Sequence, residues 1–226
     1  MLTLIPTPID EIHPLESSAL NLLKNAIKNG RSIICVEEAK IARRRWIRWG
    51  LDREYIEHFK LYNEHTRDEL APELIKYMIK GYHVYLMSDC GLPAFCDPGK
   101  LLVDLCHKNK IRVSATPFYN SPSLALALSG FDHEKFNFEG FISTDKIKRK
   151  EELNKISKNK QTTILMDTPY RLNKLLGEIK EIMPERDVFI GMDLNKDSEL
   201  LIRDKAKNIN LEKTKQEFIM ILGCIK

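Results

Sequence analysis

The chain contains no apolar run approaching the ~20 residues that a membrane-crossing helix needs. Its N-terminus, Met1-Leu2-Thr3-Leu4-Ile5, lacks the basic stretch that opens a signal peptide and reads as a strand. Cysteine is scarce: five in 226 residues, at Cys35, Cys90, Cys96, Cys106 and Cys224. None forms a Cys-x-x-Cys pair, so neither a zinc site nor a disulfide framework is supported, and no metal is expected. The thiols read as reduced ones of a cytoplasmic protein. No repeat or low-complexity tract interrupts the chain. Charge is not one-sided either: 36 basic residues against 32 acidic give a net +4. That balance is compatible with an anionic partner such as RNA without demanding one.

What is present is a globular composition, 43% apolar and 30% charged, with length for one large or two small domains. The most informative stretch runs from Tyr82 to Gly99. The strand-forming segment His83-Val84-Tyr85-Leu86-Met87 enters a loop with Gly91, Pro93, Pro98 and Gly99, and an apolar helix follows with Leu101, Leu102 and Leu105. In open α/β sheets ligands bind outside the carboxyl ends of the strands, where this loop falls. Gly91 permits close backbone approach, Pro93 and Pro98 stiffen the loop, and Asp97 is placed to cap the helix with Pro98 at its first position. An ordinary capped turn is the plainer reading, but it needs fewer residues than this loop has.

Strand and helix signals alternate through the first half. Strands are expected at Leu2–Ile5, Ser32–Val36, Phe59–Tyr62, the stretch before Ser88, and Ile111–Ala115. Helices are expected after Ser17-Ser18, which can cap the first, then at Ala39–Trp49, Asp68–Lys80 and from Leu101. This alternation predicts a parallel sheet. Thr116–Asn120 reads as a linker, giving an N-terminal α/β domain over 1–119 and a C-terminal α/β domain over 120–226. The second half opens with a helix at Ser121-Pro122-Ser123. Strands at Phe136–Phe141, Thr162–Asp167, Asp187–Asp193, Glu199–Arg203 and Phe218–Leu222 then predict a mixed sheet, with one helix at Tyr170–Ile182. The Lys146 to Lys160 segment, with Glu151 and Glu152 interspersed, reads as a solvated helix.

Several segments in order resemble the tetrapyrrole methylase family, the class III S-adenosylmethionine-dependent methyltransferases. They are Leu4-Ile5-Pro6-Thr7-Pro8-Ile9, Glu37-Glu38, Tyr62-Asn63-Glu64-His65, Ser88-Asp89-Cys90-Gly91-Leu92-Pro93 through Asp97-Pro98-Gly99, and Ser121-Pro122-Ser123. Phe138-Glu139-Gly140-Phe141, Thr168-Pro169-Tyr170-Arg171 and Glu217-Phe218-Ile219 complete the set. The similarity covers essentially the whole chain and is greatest to the branch that methylates cytidine 2′-hydroxyls of small-subunit ribosomal RNA. Where the family usually has Gly-Asn after the first turn, Asp10-Glu11 stands here. The branch's additional C-terminal segment has no counterpart.

The resemblance implies two α/β domains with the cofactor folded into the cleft between them, and a homodimer. It implies cofactor contacts from Pro8, Ile9, Asp89, Gly91, Leu92, Pro93, Ser121, Pro122, Ser123, Met166 and Thr168. A methionine carboxylate suits the N–H groups at a helix N-terminus such as Ser121–Ser123. Adenine suits an apolar slot, for which Leu92, Met166 and Met192 are candidate walls. Glu37, Glu64 and His65 lie beyond strand ends and are candidate bases for a hydroxyl acceptor; a helix cap for Glu37 and a polar turn for His65 are the structural alternatives. In the segment Ala39–Trp49, Lys40, Arg44 and Arg48 share one helical face and Ala42, Trp46 and Trp49 another, so one can dock and the other meet RNA phosphates. A solvated surface helix is the alternative there. The expected activity is methylation of RNA at a ribose hydroxyl. Methylation of a small molecule or protein, and cofactor binding without turnover, are the other readings.

Overall fold

The computed structural model describes residues 1–96, 98–118, 120–212 and 215–225. It divides into two compact units, Met1–Asn120 and Ser121–Lys226.

In the first unit, strands β1 (Leu2–Ile5), β2 (Ser32–Val36), β3 (Lys60–Leu61), β4 (His83–Met87) and β5 (Val113–Ala115) form a sheet in the order β3-β2-β4-β1-β5. Every pairing in it is parallel, as the alternation predicted. Helices α1 (Ser17–Ala26), α2 (Ala39–Arg48), α3 (Arg67–Ile79) and α4 (Lys100–Lys108) connect successive strands. Strands covered on both faces must be apolar on both, and alternate residues serve opposite layers. Ile5, Ile34, Val36, Tyr85 and Met87 pack against α1 and α2. Leu2, Cys35, Val84 and Leu86 pack against α3 and α4. β2 and β4 are neighbours, yet the chain leaves them in opposite directions, toward β3 and toward β5. Their carboxyl ends therefore flank a topological switch point, where ligands of such sheets bind.

Two local expectations are corrected. Ser17 and Ser18 are the first residues of α1, and the cap is Glu16, whose carboxylate accepts the Ser18 and Ala19 N–H groups. A carboxylate there also meets the positive end of the helix dipole. The helix after the signature loop begins at Lys100, with Gly99 in the cap position, so Pro98 precedes it rather than opening it. Asp97, expected to cap that helix, lies outside the described residues.

The second unit holds β6 (Phe136–Phe141), β7 (Thr162–Met166), β8 (Asp187–Met192), β9 (Leu200–Lys205) and β10 (Phe218–Leu222), in the order β6-β7-β10-β8-β9. β6 and β7 are parallel and the other pairings antiparallel, the mixed sheet expected. Helices α6 (Lys146–Ser157) and α7 (Leu172–Ile182) cover one face of this sheet. α5 (Ser121–Ser129) packs on the other. α6 exposes its lysines, but Arg149 is buried with Leu153 and Ile156 at helical spacing. The solvated-helix reading therefore holds for one side of α6 only. Among the described residues no helix is long and apolar enough to cross a membrane.

Candidate functional site

The loop after β4 is built to hold an unusual backbone. Gly91 has φ +76°, Ala94 +68°, Cys96 +66° and Gly99 +142°. Left-handed conformations at Ala94 and Cys96 are strained for residues with a Cβ, and such strain persists only when surroundings enforce it. The Ala94 N–H donates to the Pro98 carbonyl at 3.3 Å, and the start of the loop is pinned as well. Thr7 and Gly91 exchange backbone hydrogen bonds of 2.9 and 3.1 Å, joining the β1 loop to the β4 loop. The Thr7 hydroxyl donates to the Ser88 carbonyl at 3.2 Å. The Ser88 hydroxyl points to the Cys90 and Gly91 carbonyls at 3.2 and 3.1 Å. A Cβ at Gly99 would sit 2.9 Å from Leu86 Cδ2 and from Ala94 Cβ, so only glycine fits that close approach.

The carboxyl ends of β2 and β4 are clamped by two carboxylates. The Asp89 N–H donates to Glu37 Oε2 at 3.1 Å, and the Glu38 N–H donates to Asp89 Oδ1 at 3.2 Å. Burial, and then the neighbouring Glu37 charge, push the Asp89 carboxyl up to about 6. Glu37 thus does not cap α2. Glu38 stands at the cap position without a side-chain bond, while Asn63 Nδ2 donates to the Glu37 carbonyl at 3.4 Å. Arg45 is 5% exposed and donates from Nη1 to the Pro8 carbonyl at 3.0 Å. Burial lowers its pKa against the pull of nearby groups that include Glu11, Asp89 and Asp10. Its Nε has no hydrogen-bond partner among the described residues. Loops after β1 and β4 thereby flank one buried guanidinium of α2; Pro8 is buried, and Ile9 and Leu92 are half-buried.

Two expected residues of the first unit do not join this cluster. Glu64 and His65 lie in the turn after β3 with side chains 74% and 82% exposed, 3.5 Å from each other. In the second unit Ser121, Pro122 and Ser123 open α5. Met166 packs on the α5 face of the sheet. Met192 is 1% exposed within the opposite core, among residues of α6 and α7, where it serves packing. The Thr168 N–H donates to Asp167 Oδ1 at 2.8 Å, and its buried hydroxyl has no partner among the described residues. Sequence reasoning missed Arg45 and Arg149. Helical spacing held the signal: Arg45 falls in the buried stripe with Ala42, Trp46 and Trp49.

These two α/β units have the architecture of a known class of methyltransferases. Diphthine synthase, a solved structure, superposes with a TM-score of 0.69 at 12% identity, over 99% of this chain and 89% of that one, which establishes the fold alone. The chain belongs to the tetrapyrrole (corrin/porphyrin) methylases, whose family profile matches residues 14–210. It is 30% identical to the ribosomal RNA small subunit methyltransferase I of Halalkalibacterium halodurans, over 98% of this chain and 75% of that protein. The protein of the same name from Bacillus subtilis is 26% identical, over 98% and 74% respectively.

Proposed function

We propose that this protein transfers a methyl group from S-adenosylmethionine to a ribose hydroxyl of small-subunit ribosomal RNA. The observation that carries this is the similarity along 98% of the chain to relatives named for that RNA. The first unit suits the cofactor by its own chemistry. The Asp89 carboxylate, at a switch point of the sheet, is an acceptor for an ammonium group or ribose hydroxyls. Gly91 has φ +76° and open space where a Cβ would stand, so a ligand can approach the backbone. Leu92, half-buried, adds apolar surface on a turn that the buried Pro93 stiffens. Bound there, S-adenosylmethionine supplies an electrophilic methyl group carried on a sulfonium. The protein's part is to orient the acceptor, since positioning supplies much of the rate of such a displacement.

The RNA face we assign is α2. Lys40, Arg44 and Arg48 are exposed on it, while its opposite side is buried through Ala42, Arg45 and Trp46. Arg44 pairs with Glu11, but both are half exposed, and such pairs are weak enough to exchange for phosphate. This reading places the protein in the cytoplasm with the ribosome, and the family resemblance extends it to a homodimer. The test is transfer of labelled methyl from S-adenosylmethionine to isolated small ribosomal subunits. Label in a ribose of their RNA is expected; binding of the cofactor with no label in RNA overturns the substrate. Arg44→Glu with Arg48→Glu is expected to leave cofactor affinity unchanged and weaken RNA binding. The slope of log affinity against log salt should fall by about 1 per residue replaced. Unchanged RNA affinity at low salt removes α2 as the contact surface.

A further inference from the structure

The loop after β1 carries a paired carboxylate and imidazole, Asp10 and His13. Asp10 is 5% exposed. Its Oδ1 accepts the Ile12 and His13 N–H groups at 2.7 and 2.8 Å, and its Oδ2 lies 2.6 Å from His13 Nδ1. Burial opposes ionisation of Asp10, but the His13 and Ile12 N–H groups and the His13 ring outweigh it, holding the carboxyl below its ordinary range. An ionised carboxylate can only accept a hydrogen bond, so His13 Nδ1 carries the hydrogen. In the neutral form of the ring the lone pair is then on Nε2. The His13 side chain is 59% exposed, and among the described residues nothing hydrogen-bonds its Nε2. The basic nitrogen is thus presented outward from a buried, oriented carboxylate.

His13 lies on the loop that carries Thr7 and Pro8 of the proposed site. The same loop is tied to the β4 loop through Thr7 and Gly91, and Arg45 holds its Pro8 carbonyl. The sequence-derived base candidates are less suited. Glu37 already accepts the Asp89 N–H, and Glu64 and His65 have no buried group to orient them.

We propose that His13, held as the Nδ1–H tautomer by Asp10, is the general base that deprotonates the methyl acceptor. This rests on the reading of the protein as an RNA ribose methyltransferase. His13 Nε2 takes the proton of the ribose hydroxyl as its oxygen bonds to the methyl carbon. The carbon–sulfur bonding pair stays on sulfur, which passes from sulfonium to thioether, and His13 becomes an imidazolium paired with Asp10. Asp10 is a positioning residue.

The experiment uses the full chain, S-adenosylmethionine and small ribosomal subunits lacking the modification. His13→Ala is expected to lower kcat by about 10²–10⁴, with cofactor affinity unchanged and activity partly restored by added imidazole. Asp10→Asn tests orientation without relying on turnover. Asn Oδ1 can keep the two backbone N–H bonds, which turns its NH₂ toward His13 Nδ1 and forces the hydrogen onto Nε2. Ring ¹⁵N resonances of the protein alone should report Nδ1–H in the wild type and Nε2–H in Asp10→Asn. A wild-type ring in the Nε2–H form, or His13→Ala with kcat within about threefold of wild type, overturns the assignment. A wild type that binds cofactor but methylates no subunit RNA overturns the functional reading, and the base assignment with it.

Discussion

Arg149→Met is expected to destabilise the protein by about 3–5 kcal/mol, the range for removing one partner of a buried ion pair. Arg149 and Asp167 side chains are 2% and 1% exposed. Arg149 Nη1 donates to Asp167 Oδ2 at 2.7 Å and to the Ser143 carbonyl at 3.3 Å, and its Nε donates to Glu178 Oε2 at 2.7 Å. Burial alone would lower the guanidinium pKa, but the bonds to Glu178 and Asp167 outweigh it and the net shift is upward. Methionine fills similar volume yet leaves Asp167 buried with the Thr168 N–H and an Arg171 Nη1 3.6 Å away. The cost is that of an uncompensated charge rather than of lost packing. Urea unfolding of the variant measures it. Adding Asp167→Leu should recover much of the loss, because an apolar pair needs no compensation. A loss under about 1 kcal/mol in the single variant, far below the range for a broken buried pair, would show that water reaches this cluster.

The second large effect is expected at Asp89. Asp89→Asn keeps an acceptor for the Glu38 N–H but removes the charge proposed to receive S-adenosylmethionine. Affinity at neutral pH should fall at least about tenfold, since a hydrogen bond to a charged group contributes about 1.5–3 kcal/mol. Wild-type affinity should itself weaken as pH drops through about 6, where the carboxylate takes up its proton, while the variant stays flat. Stability moves the other way. A carboxyl whose pKa is raised by folding favours the folded state while protonated, and that contribution is lost as pH rises. The window runs from about 4, the unfolded value, to about 6 in the fold. Asp89→Asn should therefore flatten the stability profile there and leave the protein no less stable at pH 7. Calorimetric titration and thermal melts at several pH values separate the two. Wild-type affinity in the variant would take Asp89 out of the cofactor site.

How much of this was legible in the sequence differs by element. The apolar runs within Ser32–Val36 and His83–Met87 announced strands, and these form β2 and β4. The Gly- and Pro-rich loop after β4 did prove to be an unusually constrained segment at the carboxyl edge of the sheet. The cap of α1 was misassigned because Ser is the commoner cap, whereas the Glu16 carboxylate reaches two N–H groups of the first turn. The buried arginines were not singled out, because residue type alone argues for exposure. Their partners lie outside their own helices: Pro8 for Arg45, Asp167 and Glu178 for Arg149. The Asp10–His13 pair is local, but nothing in its spacing distinguishes an oriented imidazole from a polar turn.

The sequence by itself determined which segments are strands and helices, their order, and the parallel and mixed characters of the two sheets. Those properties follow from hydrophobic periodicity and turn chemistry within a few residues of each position. Only the tertiary structure decided that β2 and β4 lie side by side, that Glu37 clamps Asp89 across 52 positions of chain, and that Arg149 is buried among carboxylates. Burial and pairing of charge depend on which distant segments are packed together, and a side chain's own neighbours in sequence carry no record of that.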